Sequence, residues 1–183
     1  RQAGADVVGA DFSATMLAHA RRLVPDGQFV EADAQDLRFD AASFDAVTCN
    51  FGLMHVADQE RALAEVRRVL RPGGRFALTA WCGPDVSPTF QVFYGSVQAH
   101  GSPEVAMPDG PNFHQFANRD TAAALLGDAG FALTRHAQLD CHWTLQAPED
   151  LAEIFQRGAP RGGYLLTQQP AANLATIKQA IAD

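Results

Sequence analysis

A chain of 183 residues, 47% apolar and 19% charged, has the length and make-up of one α/β domain able to bury its own core. Acidic side chains outnumber basic ones by 21 to 14, a net charge of −7, which speaks against a nucleic-acid-binding surface and against a polybasic membrane anchor. No apolar run approaches the ~20 residues of a membrane span. The three cysteines, Cys49, Cys82 and Cys141, are too scattered for a disulfide framework or a zinc site, and suggest buried thiols of a reducing, cytoplasmic compartment.

Taken in order, residues 5–11 form a short apolar run that ends in the carboxylate of Asp11, a buried strand by length and composition. Ser13 is placed to cap a helix over residues 14–23, in which Met16, Leu17, Ala20 and Leu23 share one face. Pro25-Asp26-Gly27 turns the chain into a second strand at 28–32, which leads to Asp33-Ala34. A third strand begins at Asp45, where β-branched Val47 and Thr48 favour strand over helix, and the pattern breaks at Asn50 and Gly52.

An amphipathic helix over 58–70 carries Ala62, Leu63, Val66, Val69 and Leu70 at helical spacing. Arg71-Pro72-Gly73-Gly74 is expected to stop it, with glycine supplying the positive φ of the cap, before a fourth strand at 75–81. From Cys82 to Arg119 the character changes. Pro84, Pro88, Pro103, Pro108 and Pro111 bracket one helix, at about 89–99. Regular structure returns with a helix over 120–129 and a strand from 131 to 139 that continues through 145. Helices then follow at 148–156 and 171–182.

Strands alternating with helices across short connections predict a Rossmann-like α/β fold, a mainly parallel sheet flanked by helices. Nothing before the Val7 strand except a helical tail at 1–4, and no closing strand at the other end, predict a sheet truncated at its first and last strands. An edge exposed in this way would invite pairing between chains, so a homodimer is expected. In such sheets ligands bind beyond the carboxyl ends of the strands, which puts Asn50, Phe51 and His55 at the mouth of the site.

Four segments together resemble the class I S-adenosylmethionine-dependent methyltransferases, closest to the branch that includes the ubiquinone/menaquinone-biosynthesis C-methyltransferases. They are Val7-Val8-Gly9-Ala10-Asp11-Phe12-Ser13 with Met16-Leu17, Glu31-Ala32-Asp33-Ala34-Gln35-Asp36-Leu37, Ser43-Phe44-Asp45-Ala46-Val47, and Glu65-Val66-Arg67-Arg68-Val69-Leu70-Arg71-Pro72-Gly73-Gly74. The glycine-rich loop with which the family pattern begins is not in this sequence.

The resemblance implies a single domain over 1–183, with a cofactor-binding core at 1–81, a substrate-side insertion at 82–119 and C-terminal helices and strand at 120–183. It implies that Asp11 holds the ribose hydroxyls of S-adenosylmethionine and that Phe12 and Met16 pack on its adenine. Asp33 would accept from the adenine amino group, the Ala34 N–H would donate to a ring nitrogen, and Asn50 and Phe51 would line the methionine side. The expected acceptor is a small molecule. His55 is the candidate general base, if the acceptor must lose a proton, or else a histidine that packs at the helix entry. A nicotinamide-dependent oxidoreductase and a non-catalytic remnant are the competing readings. No metal site is expected.

Overall fold

The computed structural model describes residues 4–107 and 109–183. Of the helical tail expected at 1–4 only Gly4 lies among them, and Pro108 lies outside them. The chain forms two compact units, Arg1–Trp81 with Pro111–His136, and Cys82–Gly110 with Ala137–Asp183.

In the first unit, β1 (Val8–Asp11) and β2 (Gln28–Glu31) run parallel, joined through helix α1 (Ala14–Leu23). The register pairs Asp11 with Glu31. Parallel pairing needs a crossover, and α1 supplies it. Its cap is the one the sequence implies, with Ser13 Oγ accepting from the Met16 N–H at 3.3 Å. Arg21 and Arg22 sit in the last turn, where cations suit the carbonyl end of the helix dipole. A side chain at position 9 would collide with Phe29, since its Cβ would lie 2.7 Å from that ring. Glycine there lets the ring lie across β1.

The second parallel pair is β3 (Phe44–Asn50) with β4 (Leu70–Thr79), connected by α2 (Gln59–Val69). Residues from Ala46–Arg75 to Asn50–Thr79 are in step, with a register shift between Phe44 and Ala46. The helix stops earlier than the Arg71-Pro72-Gly73-Gly74 signal implies. Leu70, already extended, ends α2, and Gly73 takes its positive φ of 79° within β4, at that irregularity. The chain turns directly from helix to strand because Leu70 is itself a core residue, 3% exposed. Among the described residues the strands therefore form two parallel pairs, β1–β2 and β3–β4.

The core of this unit joins Leu53, Ala62, Leu63, Phe116, Ala122 and Leu126, contributed by two 3₁₀ turns (Leu53–His55 and Gln115–Ala117), α2 and α4 (Arg119–Asp128). Glu65 and Arg68 fasten α2 to the loop before β3. Glu65 accepts from the Leu37 N–H at 2.8 Å, while the Arg68 guanidinium donates to the Leu37 and Phe39 carbonyls and pairs with Glu65 at 2.6 Å. The Arg68 hydrogen bond holds the Glu65 carboxyl below its usual range.

The second unit is helical, with α3 (Pro88–His100), α5 (Asp150–Gly158), α6 (Pro160–Thr167) and α7 (Ala171–Ala182). Its core is Phe93 stacked on Phe155 at 4.0 Å, with Leu165, Leu166, Ile177 and Ile181. Helix α6 is not apparent in the sequence because Gly162-Gly163 depresses helix propensity. Close packing explains both, since a Cβ on Gly162 would meet Phe155 at 3.0 Å and Phe93 at 3.3 Å, and one on Gly163 would meet the Gln156 carbonyl oxygen at 2.6 Å.

One expected element is absent. Residues 131–145 form no strand. Gly130 at φ 80° ends α4 as expected, and the residues after it alternate, but alternation is only a propensity and a strand needs a partner's hydrogen-bonding edge. Among the described residues no helix is long and apolar enough to cross a membrane.

Candidate active site

Asp11 ends β1, and the Ala32 N–H beyond β2 donates to the Asp11 carbonyl at 3.1 Å, so Asp11 and the turn at Asp33 leave the same end of one strand pair. Asp11 Oδ1 accepts from the Ser13 N–H at 2.8 Å, which fixes the carboxylate at the start of α1. Beside it Phe12 and Met16 are 79% and 56% exposed. Exposed apolar side chains flanking a carboxylate suit a ligand with a flat face and a polar edge.

Asp33 is exposed and closes a tight turn. Its Oδ1 accepts from the Gln35 N–H at 2.8 Å, and the Gln35 side-chain amide donates to both carboxylate oxygens at 3.1 and 3.2 Å. These bonds, the backbone one foremost, hold the Asp33 carboxyl below the usual carboxylate range. Gln35 also reaches the start of α2. Its Oε1 accepts from the Asp58 N–H at 2.9 Å, and its carbonyl accepts from Arg61 Nε at 2.7 Å. One glutamine thus couples the loop after β2 to the helix after β3. Nothing local in the sequence marks Gln35 for this role, because it depends on contacts more than twenty residues away.

At the end of β3, Phe51 has φ of 49° in the left-handed region, uncommon for a residue with a Cβ. Thr79 holds it there. The Phe51 N–H is shared between Thr79 Oγ1 at 3.0 Å and the Thr79 carbonyl at 3.3 Å, and the Thr79 hydroxyl lies 3.5 Å from Asn50 Oδ1. The turn swings the Phe51 ring onto Trp81, with centroids 4.2 Å apart and planes 20° from parallel. Gly52 follows because a Cβ there would sit 2.9 Å from Cys49 Sγ. Burial pushes the Cys49 thiol upward, so it stays protonated and serves as packing.

His55 is exposed at the end of its 3₁₀ turn, its ring edge-on to Phe113 at 5.1 Å. The adjoining Phe113 and His114 rings are also edge-on, at 5.0 Å, and the His114 Nδ1–H donates to the Trp81 carbonyl at 3.1 Å. That carbonyl can only accept, so Nδ1 carries the proton. Gln115 next donates through its side-chain amide to Gln59 Oε1. Phe113, Gln115, Gln59 and Thr79 were not singled out in the sequence. Of these, only Phe113 is part of a local pattern, the aromatic residues of segment 112–116.

The site residues therefore form two groups. Asp11, Phe12, Met16, Asp33 and Ala34 lie at the β1–β2 end, and Asn50, Phe51 and His55 lie at the β3–β4 end, with Gln35 spanning between the loops. A separate groove of about 500 Å³ lies in the second unit, lined by residues that include Thr144, Asp150, Glu153 and Arg157. Its charges are already engaged, Glu153 with Arg157 at 3.1 Å and Asp150 with the Gln146 and Ala147 N–H groups.

Parallel strand pairs joined through crossover helices, with Asp11 and Asp33 at the carboxyl end of β1–β2, make a Rossmann-like α/β fold. The fold is shared with a putative methyltransferase of Bacillus halodurans C-125, at TM-score 0.58 and 22% identity over 92% of this chain and 71% of that one. Residues 1–78 match the family described as "Methyltransferase domain". All four segments that carry the resemblance lie within that stretch. Among similar proteins are the demethylmenaquinone methyltransferase of Clavibacter sepedonicus, 38% identical over 149 residues, and the ubiquinone/menaquinone biosynthesis C-methyltransferase UbiE of Enterobacter sp. strain 638, 33% identical over 140 residues. The alignments take in 74% and 68% of this chain, and the chain spans 60% and 55% of those proteins' lengths. These relatives are methyltransferases, not nicotinamide-dependent oxidoreductases.

Proposed function

We propose that this chain carries the donor-binding core of an S-adenosylmethionine-dependent methyltransferase whose acceptor is a small planar molecule of the quinone-precursor type. The observation that carries this reading is that Asp11, at the end of β1, and Asp33, in the turn just after β2, leave the same end of one strand pair, with the uncovered side chains of Phe12 and Met16 beside Asp11.

The residues fit an adenosine. A carboxylate at a strand's carboxyl end offers acceptors to a vicinal diol, and the Ser13 N–H keeps Asp11 aimed. Asp33, kept ionised by Gln35, is an acceptor for an exocyclic amino group, and the Ala34 N–H is a donor for a ring nitrogen. Phe12 and Met16 offer an aromatic face and a thioether to a flat apolar ring. Asn50 and Phe51 would line the methionine side.

Bound S-adenosylmethionine supplies a methyl group already activated by the positive sulfonium. What the protein adds is alignment of the acceptor and exclusion of water. In the Phe51–Trp81 stack, Phe51, anchored by Thr79, would face the methionine, and Trp81 would form the acceptor-side wall. His55, exposed beside that wall, is the candidate to take up a proton from an acceptor hydroxyl.

Calorimetric titration with S-adenosylmethionine and, separately, with NAD tests the reading. Saturable binding of the first and none of the second is expected. Binding of NAD alone would support an oxidoreductase, and binding of neither would mark the chain as a non-catalytic remnant.

A further inference from the structure

Residues 113–115 and the side chains they touch belong to the first unit but not to the donor residues described above. Three consecutive residues make three different attachments. The Phe113 ring lies edge-on to His55 after β3, the His114 Nδ1–H donates to the Trp81 carbonyl after β4, and the Gln115 amide donates to Gln59 at the start of α2. His55 and Gln59 follow β3 and Trp81 follows β4, so the segment is tied beyond both strands and crosses the carboxyl end of that pair as a strap.

We infer that this strap is the acceptor-binding side of the site, with His114 as a positioning residue that acts through Trp81 to set selectivity for a flat aromatic ring bearing a hydroxyl. The inference rests on the methyltransferase reading for its chemistry and on the strap's own contacts for its location.

Two independent observations point to such a ligand. The first is the aromatic lining, in which the stacked Phe51–Trp81 pair and the edge-on His55–Phe113 pair offer the two ring geometries that aromatic groups prefer. The second is Gln59, 7% exposed, whose Nε2 has no hydrogen-bond partner although its Oε1 accepts from Gln115. Turning both amides over would keep the Gln59–Gln115 bond and leave the other Gln59 amide atom unmatched. Beneath the strap there is therefore one buried polar atom in need of a partner, and buried polar groups are ordinarily matched. A ligand hydroxyl can both donate and accept, so it suits either orientation.

His114 is not proposed to touch the ligand. Its Nδ1–H fixes the carbonyl of Trp81, and hence the plane on which Phe51 stacks. His114→Leu removes that donor, whereas His114→Asn retains an N–H near the Nδ1 position.

The test uses the full chain with Trp143→Phe, which leaves Trp81 as the one tryptophan, and reads quenching of its fluorescence by 1,4-naphthohydroquinone. Calorimetry with S-adenosylmethionine runs beside it. His114→Leu is expected to weaken naphthohydroquinone binding roughly tenfold with donor affinity unchanged, and His114→Asn to restore most of the loss. Phe113→Leu provides a second variant and should weaken the same ligand without affecting the donor.

The inference is overturned if naphthohydroquinone fails to bind the parent chain, or if both His114 and Phe113 variants bind it normally. It is also overturned if His114→Asn is as impaired as His114→Leu, or if donor affinity falls in parallel, since either result means general loosening. Loss of S-adenosylmethionine binding by the parent chain, with naphthohydroquinone binding and its variant pattern intact, would count against the methyltransferase reading and leave the strap assignment standing.

Discussion

The Phe51 ring lies on Trp81, centroids 4.2 Å apart, and reaches it from a backbone with φ of 49°. The stack and the Thr79 hydrogen bonds hold a conformation that a residue with a Cβ disfavours by about 1–2 kcal/mol. Phe51→Ala loses the stack and keeps the strain, whereas Phe51→Gly loses the stack and relieves it. Chemical denaturation should therefore rank Phe51→Gly above Phe51→Ala by about 1 kcal/mol, the reverse of the order on a regular strand. Alanine proving the more stable would remove strain from the description of this turn.

Asp11 fixes the start of α1, because its Oδ1 accepts from the Ser13 N–H, and in the proposed site the same carboxylate would hold the donor's ribose. Asp11→Ala should weaken S-adenosylmethionine binding roughly tenfold or more and also lower the melting temperature. Asp11→Asn keeps an acceptor for Ser13, so it should preserve the melting temperature while still losing donor affinity. Calorimetry and thermal unfolding on the two variants separate these roles, and unchanged affinity in both would take Asp11 out of the site.

Asp33 gives a pH dependence whose sign is fixed by Gln35. Its folded carboxyl is held below the ordinary range, chiefly by the Gln35 N–H and then by the Gln35 side chain. The stabilisation this brings is present above the unfolded carboxylate value and is lost as pH falls through the lower folded value. Donor affinity that depends on the carboxylate should follow the same acid limb. Gln35→Leu keeps the backbone N–H and loses the amide, so the Asp33 carboxyl should titrate at higher pH and the acid limb of binding should move up with it. Carbon NMR of the Asp33 carboxyl during an acid titration reads the shift directly.

His55, exposed and edge-on to Phe113, is assigned to the acceptor side in the proposed function. His55→Ala should leave S-adenosylmethionine affinity within about twofold of the parent chain, well under 1 kcal/mol. A large loss of donor affinity, measured by the same calorimetry, would move His55 to the donor half.

Much of the fold was legible because its signals are local. Ser13 before an apolar-periodic run, the Pro25-Asp26-Gly27 turn and the β-branched Val47-Thr48 each determine structure within a few residues. The order of elements and their parallel pairing follow from such signals. Residues 131–145 had the alternation of a strand and formed none, since pairing depends on another segment's edge. Helix α6 was hidden by Gly162-Gly163, whose use becomes plain only against Phe155 and Phe93.

In the site, Asp11 and Asp33 stood out because carboxylates after short apolar strands are chemically conspicuous. Gln35, Thr79 and Gln59 did not. Each acts on a partner more than twenty residues away, and a polar side chain without a local pattern carries no sign of that partner in the sequence.

The most direct measurement is amide NMR of the chain during titration with S-adenosylhomocysteine, following Ser13 and Gln35, whose N–H groups donate to Asp11 and Asp33. In the proposed site one adenosine engages both carboxylates, so both resonances should move together along a single binding curve. Saturating ligand that leaves both amides unmoved, or shifts only residues of the second unit, would contradict the proposed site.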